Sequence, residues 1–239
     1  MKVPLNPCYI LHQRPYRETS LILDIFSRDY GKLSLVARGA RKGRNNQRSV
    51  MQVNQKLNMA WLIRGDMGTL TGIEALGKNY NLTGREQLAS FYINELLMRL
   101  LHKHEPCPEL FDAYENAIMR LSGCKNEQSI LRLFEKRLLE TLGYGLVLDH
   151  DVNSGKPIEE NTQYYYRPDS GPTAIPAPDH EYIKISGKTL SALAGGSIHE
   201  PKELQEAKQL TRHILKEHLG ARPLASRDLF RAYLKIGHS

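Results

Sequence analysis

Residues 20–38 read SLILDIFSRDYGKLSLVAR, and this stretch decides how the N-terminal part of the chain folds. Apolar and polar residues alternate from Ser20 to Ser27 and again from Lys32 to Arg38, which is typical of two half-buried strands. The tetrapeptide Arg28-Asp29-Tyr30-Gly31 between them is rich in turn-forming residues. The pattern therefore predicts a hairpin whose second strand directs one set of side chains inward, namely Leu33, Leu35 and Ala37. The alternate set would point outward, namely Lys32, Ser34, Val36 and Arg38.

The same alternation recurs on both sides of this hairpin. It predicts further strands at residues 9–14, 53–64 and 69–76, with no helix-length gap between them. Five short antiparallel strands suit a small closed barrel, because closure leaves no edge strand unpaired. We therefore predict a five-stranded OB-fold β-barrel over residues 1–80.

The period of the apolar residues changes to three and four after this region. Amphipathic helices are predicted at residues 86–104, 108–121, 126–142, 201–219 and 226–236. Residues 149–182 are rich in Pro, Gly, Asn, Asp and Tyr, and they predict an irregular ordered loop or a small subdomain. The predicted class is α+β, with a mainly α-helical domain over residues 81–239.

The charge of the chain is concentrated in the predicted barrel. Residues 1–80 carry 13 Lys and Arg against 5 Asp and Glu, whereas residues 81–239 carry 20 against 21. No acidic residue lies between Asp29 and Asp66, although eight basic residues do. Such a field attracts a polyanion, and nucleic acid is the leading candidate.

A basic strand end and the loop that follows it are the predicted contact with nucleic acid. A loop of this kind would contact phosphates without reading sequence, and four or five contacts to a single strand predict a salt slope of about −3. Tyr30, beside Gly31 in a turn, is the aromatic residue most favoured to stack on a base. The alternative is a loop that is basic only for solubility. The predicted DNA-binding residues are Lys32, Arg38, Arg41, Lys42, Arg44, Arg48 and Tyr30.

A second basic cluster falls on the third predicted helix and just before it. A basic rim beside apolar residues would suit a short acidic and hydrophobic peptide. The alternative is ordinary helix-surface charge paired with Glu135 and Glu140. The predicted pocket comprises Arg120, Leu121, Lys125, Ile130, Arg132, Leu133 and Lys136.

Signals for other classes of protein are weak. The sequence has no G-x-x-x-x-G-K-[ST], G-x-S-x-G or H-E-x-x-H motif, so no catalytic residue, cofactor or metal is predicted. It also lacks an apolar run long enough to span a membrane, and its three cysteines are far apart. We expect a cytoplasmic, nucleoid-associated monomer. An RNA-binding or translation-associated factor, a nuclease and a pure scaffold stay open as alternatives.

Several stretches together resemble the RecO family of bacterial recombination mediators. They occur in the same order over nearly the whole chain. They are Tyr9-Ile10-Leu11-His12, Arg17-Glu18-Thr19-Ser20, Gly31-Lys32, residues 36–41, residues 92–97, Phe134-Glu135 and residues 138–145.

This resemblance implies an OB-fold barrel followed by a helical domain, and a function that does not involve catalysis. Members of the family bind single- and double-stranded DNA and anneal complementary strands. They work with RecR to load the RecA recombinase on strands coated by single-strand binding protein, whose acidic C-terminal tail recruits them. That tail would be the peptide for the predicted pocket.

The sequence departs from the family at one place. Many members carry two C-x-x-C pairs that bind zinc, but Asp151 and Ser154 stand at the first pair and residues 175–178 hold no cysteine. We therefore expect the insertion at about 149–182 to be free of zinc and held by tyrosine packing or hydrogen bonds.

Overall fold

The computed structural model describes residues 1–41, 50–65, 67–77, 79–178 and 181–236. It begins with five strands that close into a barrel in the order β1-β2-β3-β5-β4, with β3 and β5 parallel. The strands are β1 (Lys2–Tyr16), β2 (Ser20–Ser27), β3 (Gly31–Ala37), β4 (Lys56–Arg64) and β5 (Met67–Ala75). This confirms the predicted five-stranded barrel. The prediction that all its strands are antiparallel is wrong for β3 and β5, because a closed ring with an odd number of strands cannot have every neighbouring pair antiparallel.

Alternate residues of the strands fill the barrel. Leu33, Leu35 and Ala37 of β3 all lie in its core together with Trp61 of β4, as the alternation predicts. Burying each large side chain contributes about 1.5–3 kcal/mol. Gly31 begins β3 with φ +66, and a Cβ there would lie 2.1 Å from the carbonyl oxygen of Glu105. Only glycine fits this position, because both the backbone conformation and the space exclude a side chain.

Six helices follow the barrel in the part of the chain that the structure describes. They are α1 (Gly84–Leu100), α2 (Pro108–Leu121), α3 (Glu127–Thr141), α4 (Gly187–Ala194), α5 (Pro201–Leu219) and α6 (Ala225–Ile236). Five of them match predicted helices. The sixth, α4, was not predicted, because it is only eight residues long and starts at a glycine. Its N-terminus is capped by Ser186, whose hydroxyl accepts from the Thr189 amide at 3.3 Å.

The chain packs into two compact units. The first contains residues 1–124 and the C-terminal segment that begins at Leu224, and the second contains Lys125–Pro223. The first unit therefore holds the barrel with α1, α2 and α6. These units follow packing rather than the predicted division at residue 80, which stays a prediction.

The helices of the first unit are tied to the barrel and to each other. Phe111 and Tyr114 of α2 contact Tyr9 and Phe26 on the outer surface of β1 and β2, with ring centroids 4.9–6.3 Å apart. The carboxylate of Glu95 on α1 accepts from the amides of Ala225 and Ser226 and from the Ser226 hydroxyl, at 2.9, 2.9 and 2.6 Å. It thereby caps the N-terminus of α6 from a neighbouring helix.

The second unit contains a small sheet in the region predicted to be irregular. Strands β6 (Gln163–Arg167), β7 (Gly171–Thr173) and β8 (Ile183–Ser186) pair in the order β7-β6-β8. Tyr164 and Tyr166 of β6 are buried, and their hydroxyls accept from the amides of Glu159 and Val147, respectively. The segment is therefore a small subdomain.

Asp151 holds the loop that precedes this sheet. Its side chain is 5% exposed and accepts from the amides of Asn153, Ser154 and Ala174 at 2.9, 2.8 and 2.6 Å. The carboxylate thus links the turn after residue 151 to the end of β7. It does this at the position where the resemblance places the first zinc cysteine.

Asp151→Ala is expected to lower the free energy of unfolding by about 2–3 kcal/mol at neutral pH, because three amides lose a charged acceptor. Urea denaturation measures this change. Asp149→Ala is the matched control, since the Asp149 side chain is 82% exposed and its pair with His150 should contribute at most about 1 kcal/mol. An equal loss in both variants would contradict the role given to Asp151.

The Asp151 carboxylate should also make the stability of the protein depend on pH in the acid range. Burial raises the pKa of Asp151, but the hydrogen bonds from Ser154, Ala174 and Asn153 outweigh it and hold the pKa below its ordinary value of 3.8. A carboxylate whose pKa is lowered by folding stabilises the folded state at pH values above its ordinary pKa. This stabilisation disappears as the pH falls through the folded-state pKa. The wild type should lose more stability than Asp151→Ala over this acid range.

Candidate nucleic-acid interface

The strand register brings two segments of the barrel to the same end. Tyr16 pairs with Ser20 across the turn between β1 and β2, and Leu21 pairs with Ala37 at the end of β3. The turn at residues 17–19 therefore lies next to the segment that follows β3. Both segments carry arginines.

Three arginines form what we call the basic pole, namely Arg17, Arg38 and Arg41. The Arg41 amide donates to the Thr19 carbonyl at 2.9 Å, and its guanidinium donates to the Arg17 carbonyl at 3.1 Å. Arg17 has φ +50 and its guanidinium lies 5.1 Å from the ring centre of Tyr16. All three arginines are exposed, so their charge is open to a phosphate ligand.

The outer face of β3 is less open than the alternation predicts. Ser34 is buried and donates to the carboxylate of Asp24 at 2.6 Å. The other oxygen of Asp24 lies 3.6 Å from His12 Nδ1 and 3.8 Å from Arg14 Nε. The face of β3 that is predicted to point outward is therefore covered in its middle, because neighbouring strands supply a polar partner for Ser34, and only Arg38 is fully exposed on it.

Lys32 is directed at a helix end. Its Nζ donates to the carbonyl of Met98 at 2.6 Å, in the last turn of α1, where the helix dipole favours a cation. Burial and then the charge of Lys103 lower the pKa of Lys32. A phosphate contact by Lys32 would have to compete with this hydrogen bond.

Tyr30 already has an aromatic neighbour. Its ring meets Trp61 edge-on, with centroids 5.3 Å apart and an interplanar angle of 80°. It is partly buried against the barrel core, so only part of its ring is accessible to a base. Stacking by Tyr30 stays a prediction.

The structure describes only some of the other residues that are predicted to contact nucleic acid. Arg38 and Arg41 belong to the basic pole, while Lys42, Arg44 and Arg48 lie outside the described residues. The sequence reasoning missed Arg17. The signal that could have found it is the pairing of strands 1, 2 and 3, which puts the first turn beside the end of the third strand.

Two family models cover almost the whole chain. The model for "Recombination protein O N terminal" matches residues 1–78, and the model for "Recombination protein O C terminal" matches residues 84–228. The chain belongs to the RecO family.

It is also similar to three proteins named "DNA repair protein RecO". The protein of Nitrosococcus oceani is 43% identical over 100% of this chain and 97% of its own length. That of Photobacterium profundum is 42% identical over 95% of each chain, and that of Methylococcus capsulatus is 42% identical over 97% and 94%. The chain is therefore a DNA repair protein of the RecO family. The exposed arginines of the basic pole, which can contact phosphates, are consistent with this role.

The pocket predicted for a peptide in this RecO family member is divided between the two compact units. Arg120 and Leu121 end α2 in the first unit, and the others lie in the second unit. Lys125 is exposed, Ile130 is buried and Leu133 is partly buried. Lys136 pairs with Glu140 at 3.3 Å.

Arg132 lies inside the second unit and not on a rim. It is 4% exposed, and its Nη2 donates to Glu135 Oε1 at 2.6 Å. The other oxygen of Glu135, itself 1% exposed, accepts from the Thr211 hydroxyl at 2.5 Å. The expectation of a solvent-exposed rim cation was wrong for Arg132, because Glu135 compensates its charge in the interior.

Two further observations bear on the predictions. Among the described residues, no group of three or more His, Cys, Asp or Glu side chains is arranged to hold a metal ion. Within the same ranges, no helix is both long enough and apolar enough to cross a membrane.

Proposed function

We propose that this RecO family member is a DNA repair mediator that acts without catalysis. It binds single- and double-stranded DNA, anneals complementary strands and helps RecR to load RecA on strands coated by single-strand binding protein. In the cell it works in the cytoplasm, at the nucleoid, as a monomer. The observation that carries this proposal is the exposed basic pole at the end of an OB-fold barrel.

The geometry of the basic pole suits annealing. Arg38 and Arg41 offer exposed guanidinium groups, which contact phosphates and leave base edges free. An annealing protein needs contacts to the phosphates rather than to the bases, since strong readout of the bases would block the edges that must pair with the second strand. Residues 1–80 would supply this DNA-binding domain and residues 81–239 the helical domain.

The second unit supports docking of the acidic tail of the coating protein. Lys125 is exposed just before α3 and Lys136 is partly exposed on it, whereas Arg132 is enclosed. Cations that reach the surface can pair with carboxylates of the tail without opening the interior. Leu133, which is partly buried on α3, offers apolar contact to the hydrophobic part of the tail.

The test is equilibrium binding of fluorescent single-stranded DNA and of RNA with the same sequence, at several salt concentrations. We expect DNA to bind at least as tightly as RNA, with a slope of log affinity against log salt of about −3 for four or five phosphate contacts. A clear preference for RNA would assign the barrel to an RNA-binding factor. Strand cleavage that requires a divalent metal would show instead that the protein is a nuclease, and salt-independent binding would contradict the role of the basic pole.

A further inference from the structure

A cavity in the second unit is not used by the proposed function. Its volume is about 660 Å³, within the range of small-ligand sites. The end of α3, the turn between β6 and β7, residue Glu181 and the last two turns of α5 line it. All of these belong to one compact unit. We call it the acidic aromatic cavity.

An aromatic pair forms one wall of the acidic aromatic cavity. The rings of Tyr144 and His218 are stacked, with centroids 3.7 Å apart and planes inclined by 21°. Tyr144 is placed by the end of α3, where Gly143 has φ +85 and the Tyr144 amide donates to the Leu139 carbonyl at 2.8 Å. Tyr144 is nevertheless 48% exposed, so part of its surface is open to a ligand.

The other walls are dominated by carboxylates. Asp169 is satisfied by Arg167, whose Nε and Nη2 donate to its two oxygens at 3.1 and 2.7 Å. Glu217 lies 3.7 Å from His213. Glu181 is exposed and forms no ion pair with any residue that the structure describes. The lining therefore carries three carboxylates and one guanidinium, and that guanidinium is already paired.

This charge decides which ligand the aromatic wall can take. In a DNA-binding family an exposed aromatic residue suggests base stacking, but carboxylates beside it would repel the phosphates of a nucleotide. A cation is attracted both by the ring face and by the carboxylates. Ile214, which is 3% exposed, adds an apolar surface for an aliphatic stem.

We infer that the acidic aromatic cavity binds an arginine side chain from a basic segment of a partner polypeptide. A guanidinium is planar, so it can lie on the Tyr144 ring while its edge donates two hydrogen bonds to Glu181 or Glu217. A lysine ammonium offers a point charge without this planar match. The inference does not depend on DNA binding by the barrel.

The test is an NMR titration of the full-length protein, labelled with ¹⁵N, using the pentapeptide Gly-Gly-Arg-Gly-Gly. We expect the amide signals of Gly143, Tyr144 and Gly145 to shift on addition of the peptide. Peptides with citrulline or lysine in place of arginine are the matched probes, and both should bind more weakly. Loss of the charge in citrulline removes the ion pair, and lysine loses the bidentate geometry.

Glu181→Gln combined with Glu217→Gln should weaken binding of the arginine peptide by about tenfold or more, as expected for loss of charge-assisted hydrogen bonds. Both residues are exposed, and the amide keeps the shape of the carboxylate, so the fold should be retained. Glu160→Gln, an exposed carboxylate that does not line the cavity, should leave the affinity unchanged. The inference is overturned if the arginine peptide shifts no cavity signal, if citrulline or lysine binds equally well, or if both sets of substitutions have the same effect.

Discussion

A variant with Arg38→Ala and Arg41→Ala is expected to bind single-stranded DNA about tenfold or more weakly than the wild type at low ionic strength. Both side chains are exposed at the basic pole, and Arg41 is fixed there by its bonds to the first turn of the barrel. Removing two phosphate contacts should also flatten the slope of log affinity against log salt by about 1.4, at roughly 0.7 for each contact. Fluorescence anisotropy over a salt series measures both quantities.

Two control variants make this result specific to the basic pole. Arg38→Lys with Arg41→Lys keeps both charges, so the salt slope should stay close to that of the wild type. Lys2→Ala removes an exposed cation at the opposite end of β1 and should change neither affinity nor slope. If the double alanine variant bound DNA like the wild type, the basic pole would not be the DNA contact.

The largest effect on stability is expected for Glu135→Leu. Arg132 is 4% exposed, and the leucine would leave its charge buried without compensation. Breaking one side of a buried ion pair costs about 3–5 kcal/mol. The Thr211 hydroxyl would lose its carboxylate acceptor as well, although it also donates to the Ala207 carbonyl. Urea denaturation followed by far-UV circular dichroism measures the loss.

A rescue variant distinguishes an uncompensated charge from poor packing of the leucine. Arg132→Met combined with Glu135→Leu removes both charges and should recover most of the lost free energy, because an apolar pair can replace a buried ion pair. Glu140→Leu breaks more exposed pairs with Lys136 and Arg137, and its cost should be at most about 1 kcal/mol. If Glu140→Leu were as costly as Glu135→Leu, the buried pair would have no special role.

The barrel could be predicted from the sequence because its strands follow the period of two. Leu33, Leu35 and Ala37 enter the core as their spacing requires, and Gly31 marks the turn before them. The helices with a clear apolar face, such as α2 and α5, begin and end at the predicted residues. Local pattern suffices where one face of an element is buried and the other is exposed.

The small sheet and α4 were harder to predict because their stability comes from tertiary contacts. Strands of three to five residues have too few positions to show a period, and the polar composition around them is typical of loops. The hydrogen bonds of Asp151 reach 23 positions along the chain to Ala174. No local pattern reveals such a link.

The charge of the sequence predicts which part of the chain carries the candidate interface, but not where on the barrel its residues lie. The excess of basic residues pointed to the barrel, and Arg38 and Arg41 are exposed at one end of it. Composition could not show that Lys32 is bound by the end of α1, or that Arg132 is buried beside Glu135. Those outcomes depend on which elements pack together.

Annealing of complementary oligonucleotides coated with single-strand binding protein tests the central claim most directly. The assay compares intact coating protein with a form that lacks its acidic tail. We expect this RecO family member to accelerate annealing with the intact form and to lose most of that acceleration with the tailless form. No acceleration with either form would contradict the proposed mediator function and leave a protein that only binds nucleic acid.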